Sequence, residues 1–90
     1  MKLTWRREAL DDLQRIFAFN AGRSESLAIR VERRLLERAE ALAATPQLGR
    51  CTDREEIRRL SVTDIQYVID YRPFEDRVSI VRIRHTREIR

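Results

Sequence analysis

The sequence predicts an α+β domain in which a helical hairpin packs on one face of a twisted, mostly antiparallel sheet, in the order β-α-α-β-β-β. Three observations predict it. Apolar residues recur at helical spacing through the first half of the chain and at a spacing of two through the second, and the change follows Thr45-Pro46. The two helical stretches are separated by a short glycine-containing turn, so they must lie side by side. Each carries one apolar stripe, and a stripe needs a layer to cover it.

In chain order, Lys2–Trp5 places Leu3 and Trp5 on one parity and suits a first strand. From about Arg7 the period changes. Ala9, Leu10, Leu13, Ile16, Phe17 and Asn20 recur at three and four, the pattern of an amphipathic helix that Gly22 stops. Ser24 is placed to cap the next helix, where Ala28, Val31, Leu35, Ala39 and Leu42 form the apolar stripe. Its other side, Glu32, Arg33, Glu37, Arg38 and Glu40, is laced with opposite charges at helical spacing. Residues 49–55 read as a polar loop. Three strands follow over 57–62, 65–72 and 78–84, with Tyr67, Ile69 and Tyr71 on one face of the second and Val81 and Ile83 on one face of the third. Residues 72–76 read as the turn joining the last two into an antiparallel hairpin. Period two then puts Arg82 and Arg84 on the sheet face away from the helices.

The 90 residues form one domain, 1–90, and a chain this short buries only about 60–65% of its unfolded surface. No apolar run approaches the length of a membrane span, and the opening MKLTWRREAL lacks the apolar core of a secretory leader. Cys51 is the single cysteine, so the chain forms no disulfide within itself and suits the reducing cytoplasm. The net charge of +4 favours an anionic partner: nucleic acid, ribosome or an acidic polypeptide. Lys2 is the one lysine beside eighteen arginines. Arginine suits bidentate phosphate and carboxylate contacts, but a GC-rich genome gives the same skew.

Several chemistries are poorly served. One histidine and one cysteine, with no carboxylates at ligand spacing, do not make a metal site, and two glycines make no phosphate loop. No cofactor is expected. No Gly-x-Ser-x-Gly elbow presents a nucleophile. The basic strand ends remain: Arg58, Arg59, Arg82, Arg84, His85, Arg87 and Arg90, taken as residues that bind a target or an inhibitor. RNA cleavage needs a base, an acid and cations around the phosphate, and arginine, with a pKa of about 12.5, supplies only the cation. His85 is open to three readings: an acid/base, a contact residue, or a cap on a strand end.

The order and spacing of several short motifs carry a resemblance. Trp5, Ala9, Asp12-Leu13 and Ile16 come first. Leu42-Ala43-Ala44-Thr45-Pro46, Gly49-Arg50 and Ile57-Arg58-Arg59-Leu60 follow, then Tyr67-Val68-Ile69-Asp70-Tyr71-Arg72 and VSIVRIRHTR over 78–87. Together they resemble the RelE/ParE superfamily of toxins from bacterial type II toxin–antitoxin modules, across nearly the whole chain. The resemblance implies a cytoplasmic toxin neutralised by a cognate antitoxin with an acidic segment, and one of two targets. ParE-like members poison DNA gyrase and are not known as nucleases; RelE-like members cut messenger RNA on the ribosome. RelE-like nucleases commonly carry Tyr-Arg-x-x-Tyr on the middle strand, where this chain has Val68, and a tyrosine near the C-terminus, which it lacks. The last strand looks ParE-like. The resemblance therefore implies a gyrase poison, with no catalytic residues of its own. The alternative is a ribosome-dependent endoribonuclease using His85 as acid/base with Arg58, Arg59, Arg82 and Arg87 around the phosphate.

Overall fold

Local sequence sets each boundary in the computed structural model, which describes residues 1–89. Strand β1 (Lys2–Trp5) leads directly into helix α1 (Arg7–Ala21). Arg6 remains extended and donates its N–H to the Ile80 carbonyl at 3.0 Å, so the strand's hydrogen bonding runs to the edge of the helix. Gly22 follows α1, and Ser24 caps helix α2 (Glu25–Ala44) by accepting the Leu27 N–H at 3.3 Å. Thr45, before the proline, closes α2 with an N–H to the Ala41 carbonyl. The second half holds β2 (Arg50–Cys51), β3 (Arg58–Val62), β4 (Tyr67–Pro73) and β5 (Arg77–His85), followed by a 3-10 turn over Thr86–Glu88.

The five strands form one sheet in the order β1-β5-β4-β3-β2. β1 pairs with β5 in parallel, and every other pairing is antiparallel. The helical hairpin covers one face. Between them lie Leu35 and Leu42 from α2 and Ile69, Tyr71, Ile80 and Ile83 from the sheet, all fully buried. Each such side chain contributes roughly 1.5–3 kcal/mol by leaving water. The α2 stripe Ala28, Val31, Leu35, Ala39 and Leu42 is buried at every position, as its spacing predicts.

Four expectations need correction. The buried residues of α1 are Ala9, Asp12, Ile16 and Asn20, while Leu10 is 48% exposed. The inward stripe therefore includes two polar residues, because each has a fixed partner inside. Asn20 donates to the Ile16 carbonyl and the Tyr67 hydroxyl, and Asp12 binds β5. Second, the 49–55 segment is not all loop: Arg50 and Cys51 pair with Arg59 and Arg58 as a short edge strand. Both are exposed, so no apolar alternation announces them. Third, Val81 does not share a face with Ile83. Tyr71 pairs with Ile80 and Asp70 with Arg82, which leaves Val81 as the extra residue of a β-bulge. The helix-side positions of β5 are Val78, Ile80 and Ile83; Val81 is buried outside that cluster. Fourth, Arg82 is not free on the open face, since its guanidinium is drawn to Asp12 on α1.

A second buried lock fixes the crossing from helices to sheet. The Tyr71 hydroxyl donates to the Pro46 carbonyl at 2.7 Å and accepts the Gly49 N–H at 2.8 Å. Burial pushes this phenol's pKa up. Gly49 has no room for a side chain, since a Cβ would lie 2.6 Å from the Tyr71 ring and 2.8 Å from the Arg59 carbonyl oxygen.

Tyr71→Phe removes both bonds and strands a buried N–H and carbonyl, so it is expected to destabilise the fold by about 1–3 kcal/mol in urea unfolding. Gly49→Ala should lower the unfolding midpoint as well, and a midpoint equal to wild type would show that the tyrosine is not the clamp.

Candidate functional site: an arginine-lined sheet face and a basic groove

Away from the helices, cross-strand pairing sets out rows of side chains. Arg59, Asp70 and Arg82 share one row, and Ser61, Val68 and Arg84 share the next. Asp70 is 3% exposed and accepts two bonds from Arg59, Nε at 2.6 Å and Nη2 at 3.1 Å. That hydrogen bond is the main reason the Arg59 guanidinium is held above its ordinary pKa. Further along the same face Arg72 reaches Glu56 at 2.9 Å, and the guanidiniums of Arg72 and Arg77 stack on the Phe74 ring at 4.5 and 4.0 Å. Val68, 5% exposed, sits in the row carrying Arg84, whose long stem is suited to cover it. This face is basic but largely pre-paired.

Asp12 explains where Arg82 goes. β1 pairs with β5 only as far as Ile80, so the rest of β5 has lost its strand neighbour. Asp12 fills the gap. Its carboxylate accepts the Ile83 N–H at 2.9 Å, Arg82 at 2.7 and 3.1 Å, and Arg15 at 3.1 Å. Burial alone pushes the Asp12 carboxyl up. The bonds from Arg82, Ile83 and Arg15, with the charge of Arg82, overcome it and hold the group below its ordinary value. The same bond raises Arg82. Glu88 repeats the device two residues on, accepting the His85 N–H at 2.7 Å. Two carboxylates thus close the backbone edge that β1 leaves open.

His85 ends β5 and caps the 3-10 turn: its Nδ1 accepts the Arg87 N–H at 3.1 Å. With Nδ1 engaged as acceptor, Nε2 is the ring nitrogen left to face outward contacts. The imidazole meets the Tyr67 ring edge-on, with centroids 5.2 Å apart. Beside it opens a groove of about 540 Å³ walled by the second half of α1 and the turn after β5, with Arg15, Phe19, Arg23, Gln66, His85 and Arg87 among its lining.

The basic residues singled out from the sequence thus do not converge on one site. Arg59, Arg82 and Arg84 belong to the open sheet face, and His85 and Arg87 to the groove. Arg58 points to the helix side, donating to the Gly49 carbonyl at 2.9 Å and lying 3.4 Å from the Cys51 sulfur. Arg90 lies outside the described residues. Sequence reading missed Asp12, Arg15, Phe19, Arg23 and Gln66. Asp12 did leave a signal, since it falls four before Ile16 and three after Ala9, in the inward register of α1. Phe19 and Arg23 leave none, because their neighbours across the groove come from the far end of the chain. Among the described residues, no three His, Cys, Asp or Glu side chains gather where a metal ion could be held.

Residues 3–90 match the family model described as "ParE toxin of type II toxin-antitoxin system, parDE". No curated protein sequence matches. Among solved structures, a chain of the "Chromosomal ParDE TA system from P. aeruginosa" superposes with a TM-score of 0.84 at 23% identity, covering 94% of this chain and 95% of that one. At that identity the likeness speaks for the fold.

Asp12 carries an acid-sensitive share of stability. Its folded pKa is depressed, so this share is present above the ordinary value of 3.8 and is lost as pH falls through the folded value. Asp12→Asn is expected to cost roughly 2–4 kcal/mol at neutral pH, by leaving Arg82 without its anion. It should also flatten the acid limb of a stability–pH profile; an acid limb as steep as wild type would place the sensitivity elsewhere.

Proposed function

The chain belongs to the ParE toxin family of type II toxin–antitoxin systems, and from that membership we propose that it acts by binding and poisoning DNA gyrase, held in check by a cognate antitoxin. The observation that carries a binding rather than a cleaving role is the pairing of the sheet-face arginines. A nuclease needs cations free to take a phosphate. Here Arg59 and Arg82 are each committed to a buried aspartate, Asp70 and Asp12. Moving Arg59 onto a phosphate would leave buried Asp70 alone, a penalty of roughly 3–5 kcal/mol, and moving Arg82 would strip Asp12 of two of the bonds it accepts. Position 68, where the nucleases of the superfamily place an arginine, is a buried valine. The one histidine uses Nδ1 to cap a turn. Nε2 stays open for proton transfer, so the reading of a toxin without catalytic residues rests on the paired arginines and on Val68 rather than on the histidine.

Two surfaces suit the antitoxin. Leu10 on α1 and Ile29 and Leu36 on α2 are each at least 40% exposed. Ile29 and Leu36 are seven apart and so share a helix face, with Glu32, Glu37 and Glu40 around them. An amphipathic segment of the antitoxin would lay its apolar side there. Its acidic stretch would then meet the net +4 chain along the arginine-lined sheet face, centred on Arg84. No described helix is long and apolar enough to cross a membrane. Gyrase and antitoxin are both cytoplasmic partners, and the reading places the toxin with them.

Purified protein is expected to block gyrase supercoiling and accumulate cleaved DNA, with ribosome-bound message left intact. Codon-aligned cuts in messenger RNA with gyrase untouched would instead establish the endoribonuclease. For the antitoxin, the double change Ile29→Asp and Leu36→Asp should weaken binding by about tenfold or more. Gyrase inhibition by the same variant should persist; unaltered antitoxin affinity would remove the hairpin from the interface.

A further inference from the structure

The groove at the end of β5 is absorbed by neither the sheet-face contacts nor the apolar hairpin surface. Its charge is one-sided. Arg15, Arg23 and Arg87 line it against the single carboxylate of Glu88, and Glu88 already accepts the His85 N–H. Arg15 shares Asp12 with Arg82, so one carboxylate serves two guanidiniums. Arg23 and Arg87 are exposed and make no ion pair among the described residues. An aromatic ring stands among these cations: Phe19, 64% exposed, is the most exposed large hydrophobic residue in the described structure. A single exposed ring is ordinary by itself, but one that stands among unpaired cations is placed to stack on a planar ligand.

Gln66 adds the third component. Among the described residues it is the one non-glycine residue with positive φ, at 63°, and its carbonyl accepts the Thr86 N–H at 2.8 Å. That left-handed backbone fixes the turn between β3 and β4 and sets the Gln66 amide, both a donor and an acceptor, in the groove lining. Cations for phosphate, an exposed ring for a base and an amide for a base edge lie together in a cavity of about 540 Å³, a volume that suits one or two nucleotides.

We propose that this groove binds single-stranded nucleic acid, with Arg23 and Arg87 on the phosphates and Phe19 stacked on a base. An acidic peptide would satisfy the arginines equally well. It would leave the displayed ring and the amide without their specific partners, and that favours the nucleotide. The proposal does not rest on gyrase as the target, and each can fail without the other.

The test is fluorescence anisotropy of a labelled oligothymidylate titrated with the intact protein at two salt concentrations. Saturable binding that weakens with salt is expected. Phe19→Ala should weaken it by roughly tenfold. Arg23→Ala and Arg87→Ala should each lower the salt slope by about 0.7. Arg50→Ala, on β2 at the opposite edge of the sheet, should leave affinity unchanged, and circular dichroism of each variant checks the fold. An absence of saturable binding overturns the proposal. So does equal affinity in Phe19→Ala, or an equal loss in Arg50→Ala. Displacement of the oligonucleotide by an oligoglutamate at equal charge concentration would also overturn it, and would assign the groove to an acidic peptide.

Discussion

One carboxylate organises the whole of one sheet edge. Asp12 reaches from α1 into the place that β1 vacates after Ile80 and takes a backbone N–H and two guanidiniums there. The position of α1 against β5, the direction of Arg82 and the bulge at Val81 all meet at this point. A hydrophobic residue at position 12 could fill the volume. It could not satisfy the Ile83 N–H or hold Arg82 at the edge, and a buried unpaired donor is costly. A wet strand edge would then lie open beside a helix, inviting the pairing that edge strands are built to avoid.

How much of this was readable in the chain depended on whether a feature was local. The α2 stripe, the Ser24 cap and the Thr45-Pro46 stop are set by residues within a turn of one another, and all stand as predicted. The family resemblance agrees with the matched family model. Where the reading failed, a distant partner decided the outcome. Leu10 lost its expected inward place to Asp12 because a carboxylate with two arginines and an N–H waiting is better buried than a leucine with nothing opposite. Val81 changed faces because a bulge adds one residue, and after it strict alternation counts the wrong parity. The candidate site suffered similarly. A list of basic residues gives charge but not whether a charge is already spoken for, and Arg59 and Arg82 were.

The arginine excess is accordingly two populations. One is structural: Arg59 on Asp70, Arg82 and Arg15 on Asp12, Arg34 on Asp64, and Arg58 on a loop carbonyl. For Arg59 and Arg82, which each place two bonds on one carboxylate, the planar fork does what lysine would not, a physical reason for arginine there alongside genome composition. The other population, including Arg84, Arg87 and Arg23, projects charge outward without an ion pair among the described residues. Binding an acidic or phosphate-bearing partner draws on the second and leaves the first in place.

The parallel pairing of β1 with β5 has a consequence in time. Thr4 bonds to Val78 across 74 positions of sequence, and β5 separates β1 from β4 in the sheet. During synthesis the first strand is made at once and then has no neighbour until residues 77–80 emerge. Closing so long a loop is entropically slow to begin, though each doubling of its length adds only about 0.6 kcal/mol. Until it closes, α1 lacks the strand that Asp12 is shaped to grip, and the helical hairpin has only half a floor. The β1–β5 pairing is thus among the contacts of highest sequence separation in the fold. The interval before it forms leaves the chain open to a partner before its surfaces are complete.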